Sequence, residues 1–190
     1  MPTADGHKCD GFLPARFRLD RTGKADIPQN LQSAPPAIRL PMTVSIRTAT
    51  EADIPAIFDV RTSVRENHLS IRQLTEMGIT SGTLREALHA HACIWVAEQE
   101  GRIVGFSMVD VEDACLFAAF VRPEQAGLGI GRRLVQRAEA LLFAHHPSIW
   151  LETDGSSRAT GFYERLGWVR TRELEGGDAR FEKHRPCPGD

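Results

Sequence analysis

The chain has 190 residues, of which 42% are hydrophobic and 25% are charged, and its formal net charge is −2 at pH 7. This length suits one globular domain with a tail to spare, and the composition is not that of a disordered chain. The acidic balance does not favour a protein that gains its main affinity by neutralising nucleic-acid phosphates. The longest apolar run, residues 114–121, is much shorter than the roughly 20 residues of a membrane-spanning helix, so no membrane contact is expected.

The four cysteines, at positions 9, 93, 115 and 187, show no paired spacing. They therefore indicate neither a metal site nor a disulfide framework. Cys93 and Cys115 lie in apolar runs, where a free cysteine usually behaves as a small buried hydrophobe. A reducing, cytoplasmic location is the natural interpretation.

Residues 1–41 differ from the rest of the chain, because they hold six of its eleven prolines and no sustained apolar period. We predict a poorly ordered extension here and a globular domain over residues 42–190. The extension is either the product of a start assigned upstream of Met42 or a short functional tail.

Regular patterning begins at Val44. An alternating strand over residues 44–48 is followed by the capping side chains of residues 50–53, which predict a helix start. Two more helical regions follow, the second at about 83–91. Turn signals then separate the remaining elements: predicted strands at 93–98, 102–111, 114–121, 148–153, 168–174 and 179–184, and predicted helices at 129–145 and 157–166.

This order predicts an α/β fold of mixed α+β type, with a central sheet of about seven strands and helices on both faces. The early strands, joined by short turns, should be antiparallel, and the strands flanking the helix at 129–145 should be parallel. The segment 114–121 is apolar throughout, which favours a central strand covered on both faces.

A glycine-rich loop lies between that strand and the helix at 129–145. Gly127, Gly129 and Gly131 alternate along it, and glycine lets a backbone approach a ligand closely. The N-terminus of the following helix presents free N–H groups and a partial positive charge, which suits a pyrophosphate. The spacing fits neither the dinucleotide motif G-x-G-x-x-G nor the P-loop motif.

Two motifs resemble those of the GNAT superfamily of acetyl-CoA-dependent N-acetyltransferases. The first is Val121-x-Pro123-Glu124 followed by Gly127-x-Gly129-x-Gly131, and the second is Ser156-x-x-Ala159-x-x-Phe162-Tyr163 with Leu166-Gly167-Trp168. The segment Ile46-Arg47 with Thr50 and Asp53 is also typical of the family. The departures are Ala126 where the family has Gln or Arg, Ser156 where it has Asn, and Trp168 where it has Phe.

The resemblance implies acetyl-CoA as acyl donor, with its pantetheine arm paired along the central strand. It implies that the pyrophosphate lies on the glycine loop. The implied cofactor-binding residues are Phe120, Val121, Ala126, Gly127, Leu128, Gly129, Ile130, Gly131, Arg132, Ser156 and Tyr163.

Catalysis of acyl transfer to an amine requires a proton acceptor for the amine and a proton donor for the leaving thiolate. Tyr163 occupies the family's general-acid position; the alternative is that it only packs. The strand at 114–121 contains no carboxylate, so Glu66 is the candidate base. His68, Asp110, Asp154 and a water chain remain alternatives.

The predicted function is transfer of an acetyl group from acetyl-CoA to a primary amine of a small molecule or peptide, with homodimerisation left open. Two alternatives remain. One is a non-catalytic acyl-CoA-binding module, and the other is a toxin-type acetyltransferase that acts on aminoacyl-tRNA, which the net acidity of the globular part disfavours.

Overall fold

A seven-stranded mixed sheet organises residues 43–90 and 93–186, the parts of the chain that the computed structural model describes. Its strand order is β1-β2-β3-β4-β5-β7-β6, and every neighbouring pair is antiparallel except β4 and β5. This arrangement confirms the predicted fold class. The strands are β1 Val44–Thr48, β2 Ile94–Gln99, β3 Arg102–Asp110, β4 Cys115–Val121, β5 Ser148–Asp154, β6 Val169–Glu173 and β7 Asp178–His184. The predicted extension, Cys9 and Cys187 lie outside the described residues.

Helices cover both faces of the sheet. The even-numbered residue Phe106 of β3 faces α1, and its neighbour Ser107 faces α4, where its hydroxyl donates to the carbonyl of Leu134 at 3.2 Å. Among the described helices, none is long and apolar enough to cross a membrane. The helices are α1 Ile54–Ser63, α2 Ile71–Glu76, α3 Ser81–Ala90, α4 Ile130–His145 and α5 Arg158–Arg165.

A partly buried ion pair holds the start of α1 against β1. Arg47 donates to both carboxylate oxygens of Asp53, at 2.7 and 2.8 Å, and the amide of Thr50 donates to the same carboxylate at 2.8 Å. The hydrogen bonds from Arg47, followed by those from Thr50, lower the pKa of Asp53 to about 2. The family-like segment at residues 46–53 therefore has a structural role, because it fixes the position and direction of α1.

Strand β4 is only half covered, so the prediction that both of its faces are buried is wrong. Cys115 and Leu116 are buried, whereas Phe117 is exposed and residues 118–121 are only partly buried. The cause is a bulge: Met108 of β3 pairs with Ala118, but the next residue of β3 pairs with Leu116, which leaves Phe117 unpaired. A bulge bends its strand and is common beside active sites.

Beyond the bulge, β4 and β5 separate. Their one register pair joins Cys115 to Trp150, close to the beginning of both strands. Because β3 and β7 hold β4 and β5 on their outer sides, the separation leaves an opening inside the sheet.

Gly105 lets β4 lie close to β3 and α4, and we predict that Gly105→Ala lowers stability. An added Cβ would lie 2.9 Å from the carbonyl oxygen of Phe120 and 3.1 Å from a methyl carbon of Leu134. Overpacking of this kind costs about 1–3 kcal/mol, which chemical denaturation would measure. The matched control is Gly82→Ala in α3, where the nearest contact would be an ordinary 3.5 Å. Equal stability of the two variants would contradict the close approach.

Candidate active site

The opening between β4 and β5 forms a groove whose cavity is about 230 Å³. Ala119, Phe120 and Val121 line one side, and Thr153 and Asp154 line the other. Within the described part of the chain, the backbone of β4 pairs with β5 no further than Cys115. The groove therefore offers an unpaired strand edge to an extended ligand, whose amide groups could complete the hydrogen bonding.

A second cavity, of about 440 Å³, lies at the N-terminus of α4 and shares Val121 and Ala119 with the groove. It is built on the glycine loop, where Gly127 and Gly129 have φ of 82° and 76°. The amides of residues 127–132 donate no hydrogen bond to any described residue. Free amides at a helix N-terminus favour an anion, so this cavity suits a phosphate group.

The side chains around this second cavity also suit a phosphate ligand. Arg132 and Arg165 line it, while Arg133 instead donates to the carbonyl of Val44 at 2.8 Å. The side-chain oxygen of Gln125 is buried there without a hydrogen-bond partner. A buried polar atom left unpaired is costly, and a bound ligand could satisfy it.

Tyr163, from α5, lines the groove opposite β4. Its ring is buried by edge contacts with Phe162 and Trp168, at centroid distances of 5.1 and 6.0 Å, and by Phe181 at 6.3 Å. The hydroxyl makes no hydrogen bond to the described residues. Burial raises the pKa of the Tyr163 phenol, so the group carries its proton at neutral pH.

Glu66 lines the same groove as Tyr163, at the end that follows α1. It accepts a hydrogen bond of 2.5 Å from Nε of Arg158, the first residue of α5. This ion pair joins two segments on opposite walls of the groove, although 92 residues separate them in the chain.

The other base candidates differ in position. Asp154 lines the groove but accepts hydrogen bonds from the hydroxyl and the amide of Ser156, which lower its pKa. Asp110 accepts from two turn amides after β3. His68 Nδ1 lies 3.1 Å from the carbonyl of Val64 in an exposed segment. Only Asp154 shares the groove with Glu66.

Most of the predicted cofactor-binding residues come together at the two cavities. Leu128 and Ser156 line neither cavity, since Leu128 is largely exposed and Ser156 caps Asp154. Their roles stay predictions. The structure adds lining residues that the motifs did not indicate: Asn67, Ala119, Gln125, Arg158 and Arg165.

Comparisons with known proteins find similarity to acetyltransferases. Residues 90–170 match the family model described as Acetyltransferase (GNAT) domain. Over 86 residues the chain is 34% identical to the peptidyl-lysine N-acetyltransferase YiaC of Escherichia coli K12, an alignment that covers 45% of this chain and 56% of that protein. Over 131 residues it is 29% identical to the 5-NmdU N-acetyltransferase of Pseudomonas phage PaMx11, covering 63% and 92%.

Solved structures share the fold. The PaiA N-acetyltransferase of Thermoplasma acidophilum, solved in complex with coenzyme A, matches with a TM-score of 0.62 at 17% identity over 76% of this chain and all of that one. The ribosomal-protein-S18-alanine N-acetyltransferase of Escherichia coli matches with a TM-score of 0.59 at 19% identity, over 78% and 97%. The chain is thus similar to GNAT acetyltransferases in sequence over residues 90–170, and it shares its fold with these solved N-acetyltransferases.

Acetyl-CoA is the acyl donor of this family, and the cavities fit it. The free amides of residues 127–132 suit its pyrophosphate, and the orphaned oxygen of Gln125 lies beside them. The unpaired edge of β4 suits the amides of its pantetheine arm. Within the described residues, no group of His, Cys, Asp and Glu could hold a metal ion.

We predict that Gly129→Val abolishes the rise in melting temperature that acetyl-CoA causes, because a branched side chain would obstruct the approach of a phosphate to the loop. The matched control is Gly101→Val in the β2–β3 turn. Gly101 has the same φ of 76°, and a Cβ added at either glycine would meet nothing within 4 Å. Both variants therefore carry similar backbone strain, and thermal unfolding with and without acetyl-CoA separates strain from binding. A normal shift in Gly129→Val would contradict the assigned phosphate site.

Proposed function

We propose that this protein transfers an acetyl group from acetyl-CoA to a primary amine of a small molecule or peptide. The observation that carries the proposal is the continuity of the two cavities: the cavity at the glycine loop shares Ala119, Val121 and Ala126 with the groove that Tyr163 lines. An extended thioester with a phosphate-bearing end requires both parts in this order.

Acetyl-CoA supplies an activated acyl group whose carbonyl carbon is attacked by the amine nitrogen as the bond from carbon to sulfur breaks. The protein has to hold the thioester in the groove and manage two protons. Residues of β4 hold the arm, and the walls formed by α5 and by residues 64–67 exclude water. Holding two reactants in attack geometry is itself a large part of catalysis.

Tyr163 is the proposed general acid. Its hydroxyl is unpaired, lines the groove, and keeps its proton because burial raises its pKa. Burial makes the phenol a weaker acid, but it also raises the pKa of a thiol in the same groove. The two groups, with pKa values of about 10 and 8.5 in water, therefore stay close enough for the leaving thiolate to take that proton. The alternative role, packing alone, is served by the ring and does not need the hydroxyl.

Glu66 is the proposed general base, because its carboxylate lines the groove that contains Tyr163. Its ion pair with Arg158 has a cost for this role, since a proton and the guanidinium compete for the same carboxylate. The base role therefore requires the pair to open when the acceptor amine binds.

The names of the two relatives do not narrow the acceptor to one chemical class. One relative is named for peptidyl lysine and the other for a modified nucleoside, 5-NmdU. Both relatives are named as N-acetyltransferases, which agrees with an amine acceptor here. A release assay for free CoA with a panel of amines and peptides tests the activity, and acetyl-CoA binding without turnover of any amine would favour the non-catalytic alternative. Aminoacyl-tRNA belongs in the same panel.

For the acid role we predict that Tyr163→Phe lowers kcat by roughly 10²–10⁴-fold, the range for one acid–base group. The melting temperature and the acetyl-CoA affinity should change little, because the ring contacts remain and the hydroxyl has no partner to lose. Steady-state kinetics and ligand-dependent thermal unfolding measure these quantities. Unchanged turnover in the variant would make Tyr163 a packing residue.

For the base role we predict that Glu66→Gln lowers kcat by at least 10²-fold, because the amide cannot accept the amine proton. Arg158→Met is the matched control, because it breaks the same ion pair and leaves the carboxylate in place. It should keep most of the activity. Equal losses in the two variants would show that the ion pair shapes the groove and that Glu66 is not the base.

A further inference from the structure

A third cavity, of about 360 Å³, lies on the α1 face of β4. It is covered by α1, α2 and α3, and its walls are mainly apolar. Phe120 and Asn67 belong both to this cavity and to the groove that contains Tyr163. A molecule held here therefore lies directly beside the proposed thioester position.

Arg61 is the one cation among the residues that line this cavity. It lies in the third turn of α1 and only 8% of its surface is exposed. Its Nη1 is buried without a hydrogen-bond partner, and the guanidinium makes no ion pair with a described residue. The guanidinium makes a cation–π contact with the ring of Phe120, whose centroid lies 4.5 Å from Cζ of Arg61.

Burial of an unpaired arginine in this position costs free energy. A guanidinium cannot lose its proton in a protein, so it stays charged where most of its hydration is gone, although desolvation lowers its pKa. A cation–π contact returns about 0.5–2 kcal/mol, whereas an uncompensated buried charge costs several. A bound anion would offset the remaining free-energy cost, since Arg pairs with carboxylates through two parallel hydrogen bonds.

We propose that this cavity binds the acceptor and selects one that bears a carboxylate on a small apolar body, with Arg61 as the specificity-determining residue. The inference rests on the proposed acetyltransferase function. A carboxylate carries one negative charge and matches one guanidinium. A phosphate monoester carries nearly two negative charges and would leave an excess of negative charge among the apolar walls.

The other charged residue on the cavity, Asp178, supports the same assignment. It is exposed and lies at the start of β7, where it pairs with Asp154 of the groove. A carboxylate at this rim favours the approach of an ammonium group. The two charges of the cavity are therefore of opposite sign, as an acceptor with an amine and a carboxylate requires.

Two matched ligand pairs test the proposal on the full chain. The first pair, 4-methylbenzoate and its neutral amide, has no amine and reports binding alone through the melting temperature. The second pair, 4-(aminomethyl)benzoate and its amide, reports turnover through the release of CoA. We expect the benzoate to raise the melting temperature more than its amide does, and the acid acceptor to have a kcat/KM at least tenfold above that of its amide.

Arg61→Met removes the charge and keeps the length of the side chain, so it should abolish both preferences. Its melting temperature without ligand should not fall, because an unpaired buried charge is lost. Arg61→Lys, which keeps the charge, should retain part of the preference and covers the case in which Arg61→Met does not fold. Arg72→Met is the control, since Arg72 is largely exposed on α2 and pairs only with Glu76.

The outcomes separate the two proposals. Equal shifts from 4-methylbenzoate and its amide, or a preference that persists in Arg61→Met, would overturn the carboxylate site. A benzoate shift that depends on Arg61, together with no acetyl-CoA shift, would leave an anion site but refute the acetyltransferase function. Turnover of both acceptors at equal kcat/KM would support the function and overturn the inference.

Discussion

The separation of β4 from β5 is the constraint on which the groove beside Tyr163 depends, and that groove shares residues with both of the other cavities. One register pair, Cys115 with Trp150, joins the only parallel neighbours of the described sheet, and the bulge at Phe117 turns β4 away from it. A continuous sheet would bury both backbone edges and leave no groove. Because β3 holds β4 and β7 holds β5, the rest of the sheet keeps the opening from closing.

The same strand also presents different chemistry on its two faces. Its edge faces the groove, where Tyr163 stands opposite, and Phe120 forms part of the wall of the third cavity under α1. Arg61 lies on that wall, held by the ring of Phe120. The position of α1 in turn depends on the ion pair between Arg47 and Asp53. The proposed donor and acceptor sites therefore share β4.

Local patterns predicted most of the fold. Alternation, capping residues and glycine turns gave the strand ends to within one residue, because these signals are set by neighbours in the chain. The glycine loop and Tyr163 were likewise visible as short motifs. The bulge at Phe117 was not, since an apolar run looks the same whether it is covered or open. The ion pair of Glu66 with Arg158 joins residues far apart in sequence, and Arg61 resembles any helical arginine until its burial is known.

The unpaired edge of β4 also has a consequence for the lifetime of the protein. Open strand edges are templates for pairing with other chains, and here the bulge of β4 opens the edge instead of protecting it. The acyl donor itself would cover it. We therefore expect bound acetyl-CoA to protect the protein from aggregation in the cell. When the concentration of acetyl-CoA falls, a larger share of the molecules exposes the unpaired edge of β4 to neighbouring chains.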